Sequence, residues 1–426
     1  MLDRKYIRSN VEELKRAAAV KNIVVDLDVL MSLDQEVEGR RREIDAHRAE
    51  LKRRSQAFRD GAGAREDAKA ESRKLGDQIQ ELEAELRSRE AALNELLAQV
   101  PNPPHPSVPV GASADENVPI RFWGTPPSFD FEPRDHVELM ERLEMVDLSR
   151  GAKVAGSRGY VLKGWGALLE QAVLRFGMDR ITRHNFVPLR VPSLVREYAL
   201  FGTGQFPRGR EQTYELPRDN LFLAGTAEVA VTGIHSGEIL AEDDLPLTYA
   251  ALSPCFRREA GSAGRDVRGI FRVHEFIKLE QYVVCRNDAS ESERWQERLL
   301  AHSEEIIQAL ELPYRIVNAV TGDLGPGHVK MLDLECWYPG EGRYRENYSA
   351  SIFYDWQARR ANLRYRDREG TVRFCHTVNN TVVATPRLMI PLCEVHQRAD
   401  GSIRIPDALQ PYLATEEITA PWGSAV

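Results

Sequence analysis

Leu75, Ile79, Leu82, Leu86, Leu93, Leu96 and Val100 recur with alternating spacings of four and three, interrupted only at Arg89. That is the apolar seam of a coiled coil. An earlier stretch carries a thinner seam at Leu33, Val37, Ile44, Leu51 and Phe58, with Arg40, His47 and Arg54 at the intervening positions. Gly61-Ala62-Gly63 breaks the pattern between them, which predicts an antiparallel helical hairpin over about residues 27–100. At 1.5 Å rise per residue, limbs of about 35 residues give a rod roughly 50 Å long. In front of it, Ser9-x-x-Glu12 reads as a capping box opening a short helix with Ile7, Val11, Leu14 and Ala18 on one side.

Residues 101–109 contain five prolines, which cannot continue a helix and favour a stiff, extended connection. A domain boundary is expected there, separating residues 1–105 from residues 106–426. From about residue 115 onward, strand-like runs such as Leu247-Thr-Tyr-Ala-Ala-Leu252 mix with helical ones such as 290–312. The predicted class is α+β, an antiparallel coiled-coil arm followed by a larger region mixing strands and helices. No βαβ alternation, Gly-x-Gly-x-x-Gly or Walker loop is present, so a nucleotide would have to be held by side chains.

Charge is unevenly placed. The chain carries a net −8, which argues against a protein coated in positive potential and against DNA as a partner. Residues 40–59, however, hold eight basic side chains against three acidic ones, while residues 77–95 hold six acidic against two basic. The basic limb could present Arg and Lys to the phosphates of a folded RNA. A solvated coiled coil with interlimb salt bridges would carry the same pattern. Cys255, Cys285, Cys336, Cys375 and Cys393 are widely spaced, without metal-ligand spacing, and read as reduced and buried. The amino terminus shows charge with no apolar run behind it, and no stretch approaches the roughly 20 apolar residues of a membrane span. A cytoplasmic protein is expected.

The chemistry concentrates in Phe256-Arg257-Arg258-Glu259 and, after a Gly-rich connection, Arg272-Val273-His274-Glu275-Phe276. On paired strands, residues two apart share a face, so two arginines, a carboxylate and an aromatic could surround a nucleotide. The connection itself, with three glycines and two basic residues, reads as a loop able to close over phosphate. This arrangement resembles the second signature motif of class II aminoacyl-tRNA synthetases. Phe186-Val-Pro-Leu-Arg-Val-Pro192 resembles their first motif, and Asn379-Asn-Thr-Val-Val-Ala-Thr-Pro-Arg387, continuing to Glu394 and Gln397, their third. Gly225-Thr226-Ala227-Glu228 and Tyr344-Arg-Glu346-Asn-Tyr-Ser349-Ala-Ser351 are similar to segments of one family in that class, the bacterial-type seryl-tRNA synthetases. The resemblance runs from the arm to the end of the chain and implies a catalytic domain with an antiparallel sheet flanked by helices.

That resemblance implies a homodimeric ligase that activates L-serine with ATP and Mg²⁺ and charges serine tRNA and, by family habit, selenocysteine tRNA. Arg257 and Arg387 are implied as catalytic arginines on the phosphates, with Glu346 as the catalytic metal-holding carboxylate. Arg257, Arg258, Glu259, Arg272, Val273, Phe276, Glu346, Asn347, Tyr348, Ser349 and Arg387 form the implied ATP set. Glu259 would accept from the adenine amino group while Phe276 stacks on its ring. Thr226, Ala227, Glu228, Arg257, Glu280, Asn379 and Thr381 form the serine set, and Glu346 and Ser349 the Mg²⁺ pair. Arg40, Arg41, Arg48, Lys52 and Arg53 are the implied tRNA contacts. Asn347, Tyr348 and Ala350 depart from the residues common in the family, and Asn380 and Val382 replace glycines of one branch. A carrier-protein ligase would lack the arm, and a non-enzymatic RNA-binding paralogue would have lost residues such as Arg257, Glu346 or Arg387. A purely structural coiled-coil protein would lack the globular three quarters of the chain.

Overall fold

A computed structural model describes residues 1–59, 65–261, 264 and 268–423, and the chain divides into two compact units, Met1–Pro101 and Asn102–Val426. In the first unit, Asp3 accepts from the amides of Lys5 and Tyr6 and so caps helix α1 (Arg4–Ser9). Helix α2 (Val11–Val20) follows directly, with Asn10 before it and no side-chain cap. The capping box expected at Ser9 is therefore absent. Asp3 satisfies the first-turn amides upstream, so Ser9 falls inside a helix that has already begun. Ile7, Leu14 and Ala18 are buried on one side, as expected.

Helices α3 (Leu27–Arg59) and α4 (Arg65–Leu97) form the long hairpin. Ile44, Ile79 and Leu82 make its small apolar core, with Leu51, Leu75 and Leu86 packed against them. The Gly61-Ala62-Gly63 break and the Phe58 side chain lie outside the described residues. Near the base the seam drifts by one position: Leu30 and Asp34 are buried where Leu33 is half-buried, and Leu97 is buried rather than Leu96. The opposite charges of the limbs meet across the hairpin. Arg41 pairs with Glu90 at 2.7 Å, Arg48 with Glu83 at 2.8 Å, Arg40 with Glu85 at 3.1 Å and Arg54 with Glu71 at 2.7 Å. Exposed pairs of this kind add little to stability, but all run antiparallel and are consistent with one register.

In the second unit an eight-stranded sheet is built from β1 (Val118–Trp123), β2 (Val187–Arg190), β3 (Leu247–Phe256), β4 (Glu275–Cys285), β5 (Tyr314–Asn318), β6 (Lys330–Tyr338), β7 (Arg343–Tyr354) and β8 (His376–Thr385). Their spatial order is β1-β5-β6-β7-β8-β4-β3-β2. All pairings are antiparallel except β2 with β3. The first-motif segment thus forms an edge strand, with Val187 about half exposed.

Alternation sorts the central strands into two faces. On one, Gln281 donates to Leu299 O and to Asn380 Oδ1, and Ser303 donates to Asn380 Oδ1, so helix α7 (Ala289–Ala309) covers it. The other face carries Glu280 directly opposite Thr381, and Asn379 opposite Tyr282. Helix α5 (Trp165–Thr182) also packs against these strands, through Gly177. A Cβ there would lie 2.7 Å from Val383 Cγ2 and 3.2 Å from Leu279 Cδ2. All five cysteines are buried free thiols. Among the described residues no helix is long and apolar enough to cross a membrane.

Replacing Gly177 with Val gains a few tenths of a kcal/mol in helix propensity but overpacks the contact by about 1–3 kcal/mol. Gly177→Val is therefore expected to lower the unfolding free energy, read as a decreased midpoint in urea.

Candidate active site

The Glu280 face opens into a cavity of about 480 Å³. At its floor, Thr226 ends an extended segment and N-caps helix α6 (Ala227–Ile234), its hydroxyl accepting from the Glu228 amide. The same hydroxyl donates to Glu280 Oε2 at 2.5 Å, which also takes the Glu228 amide at 3.0 Å. Lys278 completes the knot: its Nζ lies 2.9 Å from Thr226 Oγ1 and 2.5 Å from Glu280 Oε1. Lys278 and Glu280 are 6% and 4% exposed, so this is a charge pair held away from water. Glu228 Oε1 accepts from Gln357 Nε2 at 2.6 Å. Gln357, on helix α8 (Trp356–Ala361), is in turn held by Thr377 and Tyr282. Burial, and then the nearby Glu280 carboxylate, raise Glu228 from the ordinary carboxyl range to about 7.

Arg257 and Glu259 lie just beyond the end of β3 rather than on it, and Glu259 has a left-handed φ of 52°. Strand alternation does not bring them together; the closure of the chain does. The Arg257 amide donates to His274 O, and the His274 ring meets Arg257 O, both at 2.9 Å. Arg257 then lies over the Phe276 ring at 5.2 Å, while Arg272 pairs with Glu259 at 2.8 Å. Two guanidiniums lie over the Phe271 ring, Arg345 at 3.8 Å and Arg387 at 4.4 Å. Of the Gly-rich connection, residues 262, 263 and 265–267 lie outside the described residues.

Glu346 and Ser349 are three apart on β7, a spacing that strict alternation would send to opposite faces. A register shift against β6 corrects this: Glu335 faces Glu346 while Leu334 faces Tyr348, leaving Asn347 as the extra residue of a bulge. Asn347 accepts from the Cys336 amide and from Tyr338. The bulge brings Ser349 Oγ to 3.3 Å from Glu346 Oε1, and Arg387 Nη1 donates to Glu346 O at 3.1 Å. Asp333 lies opposite Ser349, its carboxyl pushed well above the usual range by burial and then by Glu346 and Asp323. Carboxylate and hydroxyl oxygens suit a hard divalent cation. Among the described residues no cluster of three or more His, Cys, Asp or Glu could hold one unaided, so oxygens of a bound ligand would complete the shell.

Most of the expected residues therefore line one cavity, from Thr226 and Thr381 at one end to Phe276 and Arg387 at the other. Three do not. Arg258 is exposed outside it, Ala227 is fully buried, and Tyr348 turns into the core behind the bulge. Of the arm residues, Arg40, Arg41 and Arg48 are engaged by the opposite limb, Arg53 pairs with Glu50 on its own helix, and Lys52 is exposed. Lys278 and Phe271 line the site without having been expected there, and Gln357, in a segment that resembles the family but had no assigned role, supports it. Lys278 was accessible to the i, i+2 rule through Glu280, whereas Gln357 reaches Glu228 only through tertiary packing.

Comparison with known proteins covers both units. Residues 1–104 match the seryl-tRNA synthetase N-terminal domain, and residues 213–396 match the tRNA synthetase class II core domain (G, H, P, S and T). The chain is 48% identical to a serine–tRNA ligase of Deinococcus radiodurans, over 98% of this chain and 99% of that one. It is 42% identical to the serine–tRNA ligase of Thermodesulfovibrio yellowstonii, covering 98% and 100%. The seryl-tRNA synthetase of Pyrococcus horikoshii, crystallised with ATP, superposes with a TM-score of 0.91 at 39% identity, over 99% of this chain and 100% of that one. A cytoplasmic serine–tRNA ligase of Naegleria fowleri with AMP gives 0.85 at 29% identity, over 97% of each chain.

Glu228 generates a stability prediction. A carboxyl raised on folding contributes stability that is complete below its unfolded value near 4.5 and lost as pH rises through about 7. Glu228→Gln keeps an acceptor for Gln357 and carries no charge. It is expected to unfold at a higher temperature than the parent at pH 8, with the advantage disappearing as pH falls to about 5.

Proposed function

The chain belongs to the seryl-tRNA synthetase family, and on that premise we propose that it activates L-serine with ATP and transfers the seryl group to the 3′-terminal adenosine of serine tRNA. What carries the proposal is a single cavity with a buried polar knot at one end and arginines flanking aromatic rings at the other. The first suits a small hydroxylated amino acid, the second a nucleotide.

The serine carboxylate attacks the α-phosphorus of ATP and pyrophosphate leaves, giving seryl adenylate; no protein nucleophile is needed. Arg257, a planar guanidinium over Phe276, binds α-phosphate oxygens and stabilises the charge that develops there. Phe276 stacks on adenine, and Glu259, with Arg272 beside it, accepts from the adenine amino group. Arg387, poised between Phe271 and Glu346, meets the γ-phosphate side. Glu346 and Ser349 would hold Mg²⁺, which when bound supplies positive charge to the phosphate oxygens. Glu228 takes the substrate ammonium, while Glu280, Thr381 and Asn379 surround its hydroxyl.

Four finer features complete the proposal. The exposed edge strand β2, with Val187 half exposed, supports a homodimer. The distal hairpin, with Arg48, Lys52 and Arg53, supports binding of the tRNA backbone, with the interlimb carboxylates exchanged for phosphates. Selenocysteine tRNA is a second acceptor by family habit, and the site of action is the cytoplasm.

The purified protein is expected to exchange pyrophosphate into ATP with serine and to charge total tRNA with radiolabelled serine. Exchange without charging of any tRNA would sink the tRNA reading and favour a carrier-protein acceptor; absence of exchange would sink the ligase reading itself. Removing residues 45–85 leaves the base of the hairpin and its ion pairs to Arg4 and Arg8 in place. Exchange in that variant is expected within about threefold of the parent and charging down by at least about a hundredfold, the scale of losing several phosphate contacts.

A further inference from the structure

Lys278 is the buried cation of the cavity, and the proposed chemistry gives it no direct contact with ATP or serine. It lies on β4 two residues before Glu280, so both side chains project from the same face. Its ammonium bridges Thr226 Oγ1 at 2.9 Å and Glu280 Oε1 at 2.5 Å. The Thr226 proton is committed to Glu280 Oε2, which also takes the Glu228 amide. Both oxygens of Glu280 are thus engaged before any ligand enters.

The charges around this end of the cavity balance. Glu228 and Glu280 contribute two negative charges when ionised, and Lys278 and Arg257 contribute two positive ones. A zwitterionic amino acid enters without changing that balance. Without Lys278, Glu280 would be a buried carboxylate missing its cation and one of its donors. Glu280 would then lose the fixed arrangement in which it is proposed to read the substrate hydroxyl, while its charge would still bear on Glu228.

We propose that Lys278 is a positioning residue for amino-acid selection, clamping Glu280 and Thr226 into one arrangement and balancing their charge so that Glu228 is left to meet the substrate ammonium. This rests on the assignment of the cavity floor to serine made above. Glu228 is faced by Glu280 and Lys278 from β4, by Arg257 from the end of β3 and by Gln357 from α8. Burial and Glu280 raise it to about 7, while Gln357, Lys278 and Arg257 act in the opposite direction. Serine binding needs Glu228 ionised, so kcat/KM for serine falls on the acid side of that value. Deleting the Lys278 charge moves this acid limb to higher pH.

The test compares wild type, Lys278→Met and Lys278→Arg in serine-dependent pyrophosphate exchange, varying serine, ATP and pH. Lys278→Met is expected to raise the serine KM at least about tenfold, leave the ATP KM within about threefold, and move the acid limb up by about one pH unit. Lys278→Arg, which keeps the charge, is expected to leave the limb where wild type has it. Equal increases in both KM values, a fall in kcat alone, or a limb displaced as far by Arg as by Met would overturn the proposal. Should Lys278→Met fail to fold, judged by thermal unfolding, the Arg variant decides: a held limb supports the proposal and a displaced one overturns it. Wild type lacking serine-dependent exchange would instead refute the seryl assignment of the cavity, and with it the role of Lys278.

Discussion

A carboxylate buried among β-strands is tolerable only when donors meet both of its oxygens, and Glu280 satisfies that condition by fixing its neighbours. Lys278 and Thr226 must point at it, and the Glu228 amide must arrive at the start of α6. Thr226 and the Glu228 amide come from the start of α6 and Lys278 from β4 itself, so the helix start and the strand are locked at one separation. That lock defines the end of the cavity proposed to take the amino acid. Isolated charges this deep would cost several kcal/mol, whereas paired and hydrogen-bonded ones give a preorganised polar floor.

The end proposed to take the nucleotide follows a different logic. Its groups are more exposed and are positioned by chain closure and irregular strand geometry. Arg257 is held by hydrogen bonds to His274 and stacks over Phe276; Glu346 and Ser349 meet because β7 bulges at Asn347. Arginines over aromatic rings cost little to maintain without ligand and remain able to swing onto phosphate. On the proposed reading, one end serves selection and the other charge stabilisation.

Much of this was readable in the residues, and the exceptions have identifiable causes. The four-three repeat in α4 located the hairpin, although its seam drifts at the base, where Asp34 is drawn inward by Arg4 and Arg8. Local capping signals misled at Ser9 because Asp3, a stronger cap, stands earlier. Alternation was the wrong reason for the right grouping of Arg257 and Glu259, which lie past the strand end. The bulge that unites Glu346 with Ser349 and turns Tyr348 into the core depends on cross-strand register, which no local pattern encodes. Charge asymmetry between the limbs was ambiguous in principle, and the hairpin uses it for its own ion pairs whatever else binds there.

The central claim is that Glu280, held by Thr226 and Lys278, reads the substrate hydroxyl. Its most direct test is the ratio of kcat/KM for serine to that for alanine in pyrophosphate exchange, measured in wild type and in Glu280→Gln. A hydrogen bond to a charged acceptor contributes roughly 1.5–3 kcal/mol, so the account predicts that the ratio falls by about ten- to a hundredfold or more in the variant, through loss of serine activity rather than gain of general activity. A ratio unchanged while both substrates lose activity together would show that Glu280 supports the fold of the pocket without reading the hydroxyl, and would contradict the account.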